Sequence, residues 1–183
     1  MCAPICFSWP RSDRTRVKHV SAKSIKVDAT LVPDAASISA TRSLVDDISR
    51  LFLNDVDASW RLGMAAHELL DNARKYGLES TAALRFSVDA TEEGHVATLN
   101  VRSLGTSAHI DAIHRLAKDI AQTDDAWGYY LAALTRAGRG TEGSGIGLAR
   151  IWAEGEMALQ LSVDARGYVT VEATLAVSTR EAT

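Results

Sequence analysis

The segment HELLDNARKYG, from His67 to Gly77, places an acid and an amide at a spacing that suits phosphate chemistry. In a helix, residues four positions apart share a face, so Glu68 and Asn72 point the same way. An asparagine offers Mg²⁺ a neutral oxygen ligand, and a glutamate takes a proton from a hydroxyl group or water beside it. Lys75 adds a point charge for phosphate. The segment therefore indicates phosphate chemistry assisted by a metal ion.

Two other interpretations of this segment use different residues. A zinc-protease helix needs histidines four positions apart, but Asp71 stands four residues after His67, and no third ligand is evident. We therefore exclude a zinc site. A partly solvated helix with scattered polar side chains is the other alternative, and in either case we expect a surface or packing role for His67.

A second segment, GSGIGLAR, ends at Arg150 and has glycines at every second position, Gly143, Gly145 and Gly147. Glycine lets backbone N–H groups turn toward an anion, and the amino end of a following helix favours negative charge. The segment predicts a phosphate-binding loop, with a flexible turn as the alternative. The overlapping GRGTEG matches a dinucleotide-binding fingerprint, but no strand precedes it, and the lysine of a Walker loop is absent.

Patterns of apolar residues predict the elements that position these segments. The predicted elements are a strand at 23–32, helices at 38–52 and 60–73, a hairpin at 83–103, helical segments within 107–137 with a break near 123–125, a short helix after the glycines, and a hairpin at 157–177. Such an order predicts one α/β domain, a two-layer sandwich with a mixed, mostly antiparallel sheet and helices on one face.

Together, HELLDNARKYG and GSGIGLAR resemble the N-box and the second glycine box of the GHKL ATPases, over roughly residues 35–177. The resemblance implies the histidine-kinase-like ATPase fold, with ATP and Mg²⁺ bound between the N-box helix and a lid at about 106–142. It implies that Glu68 is the general base, that Asn72 is the metal ligand, and that Arg74 and Lys75 reach phosphate. The residues implied to wrap the phosphates are Gly143, Ser144, Gly145, Ile146 and Gly147.

The first glycine box of that family, D-x-G-x-G, is altered here to SLGTS. Ser103 occupies the position of the aspartate that accepts the adenine amino group, Gly105 is kept, and Ser107 replaces the second glycine. A hydroxyl oxygen accepts a hydrogen bond more weakly than a carboxylate does. We therefore expect Ser103 and Gly105 to lie next to the adenine base of the nucleotide, and we expect the recognition of adenine to be weakened.

Within that family, the chain is most similar to small stand-alone anti-sigma-factor kinases of the SiaB-type branch. The resemblance implies a serine/threonine protein kinase that phosphorylates a small anti-sigma-antagonist-like partner in bacterial partner switching. The alternative is a non-catalytic regulator of the same fold, which binds a response regulator or antagonist partner with weak or no nucleotide binding. A sigma factor is a further candidate partner, and a homodimer is a candidate assembly.

Composition narrows the remaining function classes. The 183 residues are 46% hydrophobic and 23% charged, with a net charge of −3, which argues against nucleic acid as the partner. No apolar run spans a membrane, and the first residues lack the apolar stretch of a secretion signal, so we expect a cytoplasmic protein. Cys2 and Cys6 form no disulfide framework. We expect residues 1–22 to be a flexible basic arm and residues 23–183 to be a single domain.

Overall fold

The computed structural model describes residues 24–138 and 145–178, so the predicted amino-terminal arm lies outside the described residues. The described residues form five strands and five helices. In chain order they are β1 (Ile25–Leu31), α1 (Ala35–Leu53), α2 (Val56–Tyr76), β2 (Ala82–Thr91), β3 (Gly94–Leu104), α3 (Ser107–Gln122), α4 (Ala126–Gly138), α5 (Ile146–Ala153), β4 (Ala158–Val163) and β5 (Tyr168–Ser178).

The five strands form one sheet in the order β1-β2-β3-β5-β4. The hairpins β2–β3 and β4–β5 lie side by side through the pairing of β3 with β5, and β1 covers the free edge of β2. The predicted α/β sandwich with a mostly antiparallel sheet is confirmed. All four pairings are antiparallel, so residues 24–138 and 145–178 contain no parallel pair.

The ends of α1 and α2 follow from capping residues in the sequence. Asp34 accepts the backbone N–H of Ser37, and the Ser37 hydroxyl accepts the N–H of Asp34, which forms a capping box. Asp55 caps α2 by accepting two backbone N–H groups at 3.0 Å. Gly77 follows the last residue of α2, as predicted, and a side chain there would collide with the carbonyl oxygen of Ala73.

Helix α2 lies at the centre of the helical layer. It packs against α1, against the sheet through β3 and β5, and against α5. Leu62 and Leu70 of α2 are fully buried, as are Phe86 and Leu99 on the neighbouring strands. Burial of this apolar surface holds α2 firmly against the sheet. The polar side chains near its carboxyl end therefore project from a well-supported backbone.

The segment predicted as a mobile lid forms two helices that pack against the rest of the domain. Helix α3 buries His109, Ile113, Leu116 and Ile120. Helix α4 packs Tyr130 and Ala133 against Ala149 and Ala153 of α5. Residues 139–144 lie outside the described residues. Among the described helices, none combines the length and the apolar character needed to cross a membrane.

Candidate functional site

The two predicted segments meet where the first turn of α5 touches α2. A Cβ atom placed on Gly147 would lie 2.7 Å from Glu68 Oε2 and 3.5 Å from Asn72 Nδ2. Glu68 and Asn72 therefore face α5 together, as their four-residue spacing predicts. A side chain at position 147 would force the Glu68 carboxylate to move, so the present position of Glu68 depends on glycine there.

The amino end of α5 is arranged to favour an anion. Gly145 precedes the helix in the left-handed conformation, with φ 66° and ψ 14°, and no side chain of the described residues caps the first turn. The first backbone N–H groups of a helix have no partner within the helix, and they carry its positive end. Ile146 is partly buried against α4 and α5. Gly143 and Ser144 lie outside the described residues, so their predicted role stays a prediction.

An arginine that we did not single out from the sequence holds Glu68. Arg150 Nη1 donates to Glu68 Oε1 at 3.1 Å, and Arg150 Nε donates to Glu154 Oε2 at 2.7 Å. One oxygen of Glu68 is thus bound to Arg150, while the other faces Gly147. The hydrogen bond from Arg150 lowers the pKa of Glu154 and outweighs the opposing effect of burial, and the neighbouring Tyr130 hydroxyl lowers that pKa further.

Arg74 and Lys75 pair with a carboxylate of their own helix. Arg74 Nη2 lies 2.8 Å from Asp71 Oδ1, and Lys75 Nζ pairs with Asp71 Oδ2. Partial burial works to raise the pKa of Asp71, but the hydrogen bonds from Lys75 and Arg74 outweigh it and hold this pKa below its usual value. Both cations are about half exposed. Their predicted contact with phosphate stays a prediction, and it requires them to share or leave Asp71.

A narrow cavity lies beside this contact, between α2, the sheet and the start of α3. Its volume of about 10 Å³ is that of a single water molecule. Asn72, Ser103 and His109 are its polar lining residues, and the others are Leu69, Ala73, Val101, Ile113, Leu148, Val169 and Val171. Ser103 is buried. The structure thus places Ser103 and Asn72 on the same cavity.

Gly105 lies where β3 leads into α3. A Cβ atom there would lie 2.8 Å from Val169 Cγ2 and 3.3 Å from His109 Nδ1. The backbone of Gly105 also donates to the carbonyl oxygen of Gly167 at 3.1 Å. A larger residue would push α3 away from the sheet, so Gly105 keeps the cavity narrow.

His109 is the polar group of this cavity that the sequence analysis missed. It is 8% exposed, and its buried Nδ1 has no hydrogen-bond partner among the residues that the structure describes. Its ring lies 4.9 Å from that of Tyr76. Burial lowers the pKa of His109, which favours the neutral ring. The spacing of His109 from Ile113, Leu116 and Ile120 is a helical stripe, and that pattern could have shown the histidine to be buried.

The side chains at this site suit the chemistry of ATP and Mg²⁺, but the cavity beside them is small. The oxygen of Asn72 is a suitable metal ligand, and the amino end of α5 is suited to phosphate. A base is much larger than one water molecule, so this cavity would have to widen to hold one. The residues therefore suit the phosphate end of a nucleotide in their chemistry, whereas this cavity in its present shape does not hold a base.

Comparisons with known proteins show the fold. No family model matches this chain, and no curated protein matches it. Among solved structures, the chain is similar to a chain of the SiaB–SiaC complex from Pseudomonas aeruginosa, with a TM-score of 0.52 and 15% sequence identity. The similarity covers 81% of this chain and 88% of that chain. The described domain therefore shares its fold with a component of that complex.

Proposed function

We propose that this chain is an ATP-dependent serine/threonine protein kinase of the anti-sigma-factor type, which phosphorylates a small antagonist-like partner in bacterial partner switching. The observation that supports it most strongly is the approach of Gly147 to Glu68 and Asn72, because it brings a carboxylate and a side-chain amide to the amino end of α5. The similarity to a chain of the SiaB–SiaC complex supports a protein partner, since that structure holds two proteins bound to each other.

The roles of the residues follow from their surroundings. Bound ATP would supply the phosphoryl group, and Mg²⁺ would neutralise part of its charge. Asn72 provides the oxygen ligand, and the N–H groups at the start of α5 donate to phosphate oxygens. Glu68 takes the proton of the partner's serine or threonine hydroxyl through Oε2, because Oε1 is held by Arg150. Arg150 thereby positions the base rather than touching the reacting atoms.

A non-catalytic regulator of the same fold is the second candidate. The observation that favours it is the small size of the cavity beside Asn72 and Ser103, which has space for about one water molecule and not for a nucleotide base. Such a protein would bind a response regulator or antagonist partner without ATP. Calorimetry with Mg-ATP separates the two candidates. The kinase should bind in the micromolar to millimolar range, roughly −8 to −4 kcal/mol, whereas no heat and no melting shift at several millimolar would favour the regulator.

The kinase proposal is tested by separating binding from chemistry. Glu68→Gln keeps the shape of the side chain but removes the base, so phosphate transfer to the partner should slow by roughly 10²- to 10⁴-fold with nucleotide affinity nearly unchanged. Asn72→Ala removes a ground-state ligand and should weaken Mg-ATP binding itself. His67→Ala should affect neither property beyond a small stability loss.

Glu154→Gln is the matched control for Glu68→Gln. It makes the same chemical change in the other carboxylate that Arg150 binds, and it should leave transfer near the parent rate. Intact masses of candidate antagonist-domain proteins, after incubation with Mg-ATP, report the transfer. Parent-rate transfer by Glu68→Gln would show that another group accepts the proton. Equal losses in Glu68→Gln and Glu154→Gln would show that the arginine network, and not the base, had been disturbed.

A further inference from the structure

His109 carries a feature that packing alone does not explain. Its Nδ1 is buried and has no hydrogen-bond partner within residues 24–138 and 145–178, and the residue lines a cavity with Ser103 and Asn72. Buried polar atoms are nearly always hydrogen-bonded, because losing water without gaining a partner destabilises the fold. A leucine would fill the same position on the apolar stripe of α3 without that loss. The nitrogen is therefore a candidate for contact with a ligand.

We propose that His109 recognises the base of a purine nucleotide, with Nδ1 accepting a hydrogen bond from the amino group at purine position 6. This inference rests on the proposed nucleotide binding and assigns it a specificity-determining residue. The position of His109 supports it, because the ring lies over the end of β3, on the same cavity as Ser103, while Asn72 connects that cavity to Gly147.

The chemistry of the ring selects the base. A neutral imidazole with its proton on Nε2 presents a lone pair at Nδ1. Adenine offers an amino donor at position 6, whereas guanine offers an oxygen acceptor that would face the lone pair. Burial keeps the ring neutral by lowering the pKa of His109, and the stacked ring of Tyr76 restricts its orientation. The site therefore favours a 6-aminopurine nucleotide over a 6-oxopurine nucleotide.

The place of His109 within α3 allows it to keep this role when the cavity opens. Thr106 caps the helix by accepting the backbone N–H of His109 at 3.1 Å, so the histidine lies in the first turn. When a helix swings about its amino end, its first turn moves least. Binding of the base in this cavity therefore requires Ile113, which lines it, to move, while His109 stays beside Gly105.

The test compares ATP with purine riboside triphosphate, which lacks only the 6-amino group. Calorimetry would give both dissociation constants for the parent protein, for His109→Leu, for His109→Asn and for His114→Leu. The loss of one hydrogen bond predicts that the parent prefers ATP by about tenfold. His109→Leu should bring the ratio close to one, whereas His109→Asn should keep part of it, since its side-chain oxygen can replace Nδ1 as the acceptor.

Controls separate recognition from folding. His114→Leu makes the same change at an exposed position of the same helix and should keep the parent ratio. His109→Leu should melt at or above the parent temperature, because it removes an unpartnered polar atom, so lost discrimination would not reflect unfolding.

Four outcomes would overturn the inference. If His109→Leu keeps the parent preference for ATP over purine riboside triphosphate, another residue recognises the base. If His109→Leu binds both nucleotides more tightly than the parent does, the histidine blocks the cavity and does not recognise the base. Equal binding of both nucleotides by the parent would refute this inference alone and leave the proposed kinase standing, whereas no binding of either would refute the proposed function as well.

Discussion

Replacing Gly147 with alanine should damage catalysis without damaging the fold. The new Cβ atom would lie 2.7 Å from Glu68 Oε2, closer than non-bonded atoms pack, but 3.5 Å from Asn72 Nδ2, an ordinary contact. Glu68 must therefore move while Asn72 keeps its place. The oxygen lies at the end of a flexible side chain, so its movement costs little stability, and alanine is favoured over glycine in a helix.

The size of the effect follows from that distance. An ordinary contact begins at about 3.4 Å, so the carboxylate oxygen has to move by roughly 0.7 Å. A displacement of about 1 Å at a reacting group can lower a rate by about 100-fold. We therefore expect Gly147→Ala to slow phosphate transfer by about 10- to 100-fold, which corresponds to about 1.4 to 2.7 kcal/mol of transition-state stabilisation.

Single-turnover transfer at saturating Mg-ATP, read as the mass of the phosphorylated partner, measures this rate. Gly63→Ala is the matched control, because a Cβ atom on Gly63 would lie 3.4 Å from its nearest neighbours, the Arg42 carbonyl oxygen and Asp46 Cβ of α1. That variant should transfer at the parent rate and gain up to about 1 kcal/mol of stability. Parent-rate transfer by a folded Gly147→Ala would refute the assignment of Glu68 as the base.

Three further predictions concern stability. Burial lowers the pKa of His109 in the folded state, so below about pH 6.5 the unfolded chain binds more protons than the folded protein does. The free energy of unfolding, measured with urea, should therefore decrease as the pH falls below that value, and it should decrease less in His109→Leu. Asp55→Ala removes the cap of α2 and should cost about 1 kcal/mol in the same assay. Leu62→Ala leaves a cavity at a fully buried position and should cost about 2 to 5 kcal/mol.

The sequence was sufficient to predict the arrangement of elements because its signals are local. Apolar residues at three- and four-residue steps mark α1 and α2, and alternation around TEEG marks the β2–β3 hairpin. The pairing of Asp71 with Arg74 and Lys75 was also readable, since residues three and four apart meet on a helix. The prediction that Arg74 and Lys75 contact phosphate did not take this local pairing with Asp71 into account.

What the sequence could not show depends on how distant elements pack. Arg150 and Glu68 are 82 residues apart, and they meet only because α5 crosses the carboxyl half of α2. Ser103 and His109 are close in sequence, but their shared cavity depends on the angle at which α3 leaves Gly105. The volume of that cavity is likewise a property of packing and not of any local pattern.

The proposed nucleotide site has two parts. The proposed phosphate part is formed by α2 and α5, which meet at Gly147 and Glu68. The proposed base part is the cavity that His109 and Ile113 of α3 help to line. Asn72 belongs to both parts, because it lines the cavity and also lies next to Gly147. If the proposed kinase activity holds, widening the cavity at Ile113 would leave the contact of Gly147 with Glu68 intact, so access of the nucleotide would be separable from the alignment of the base.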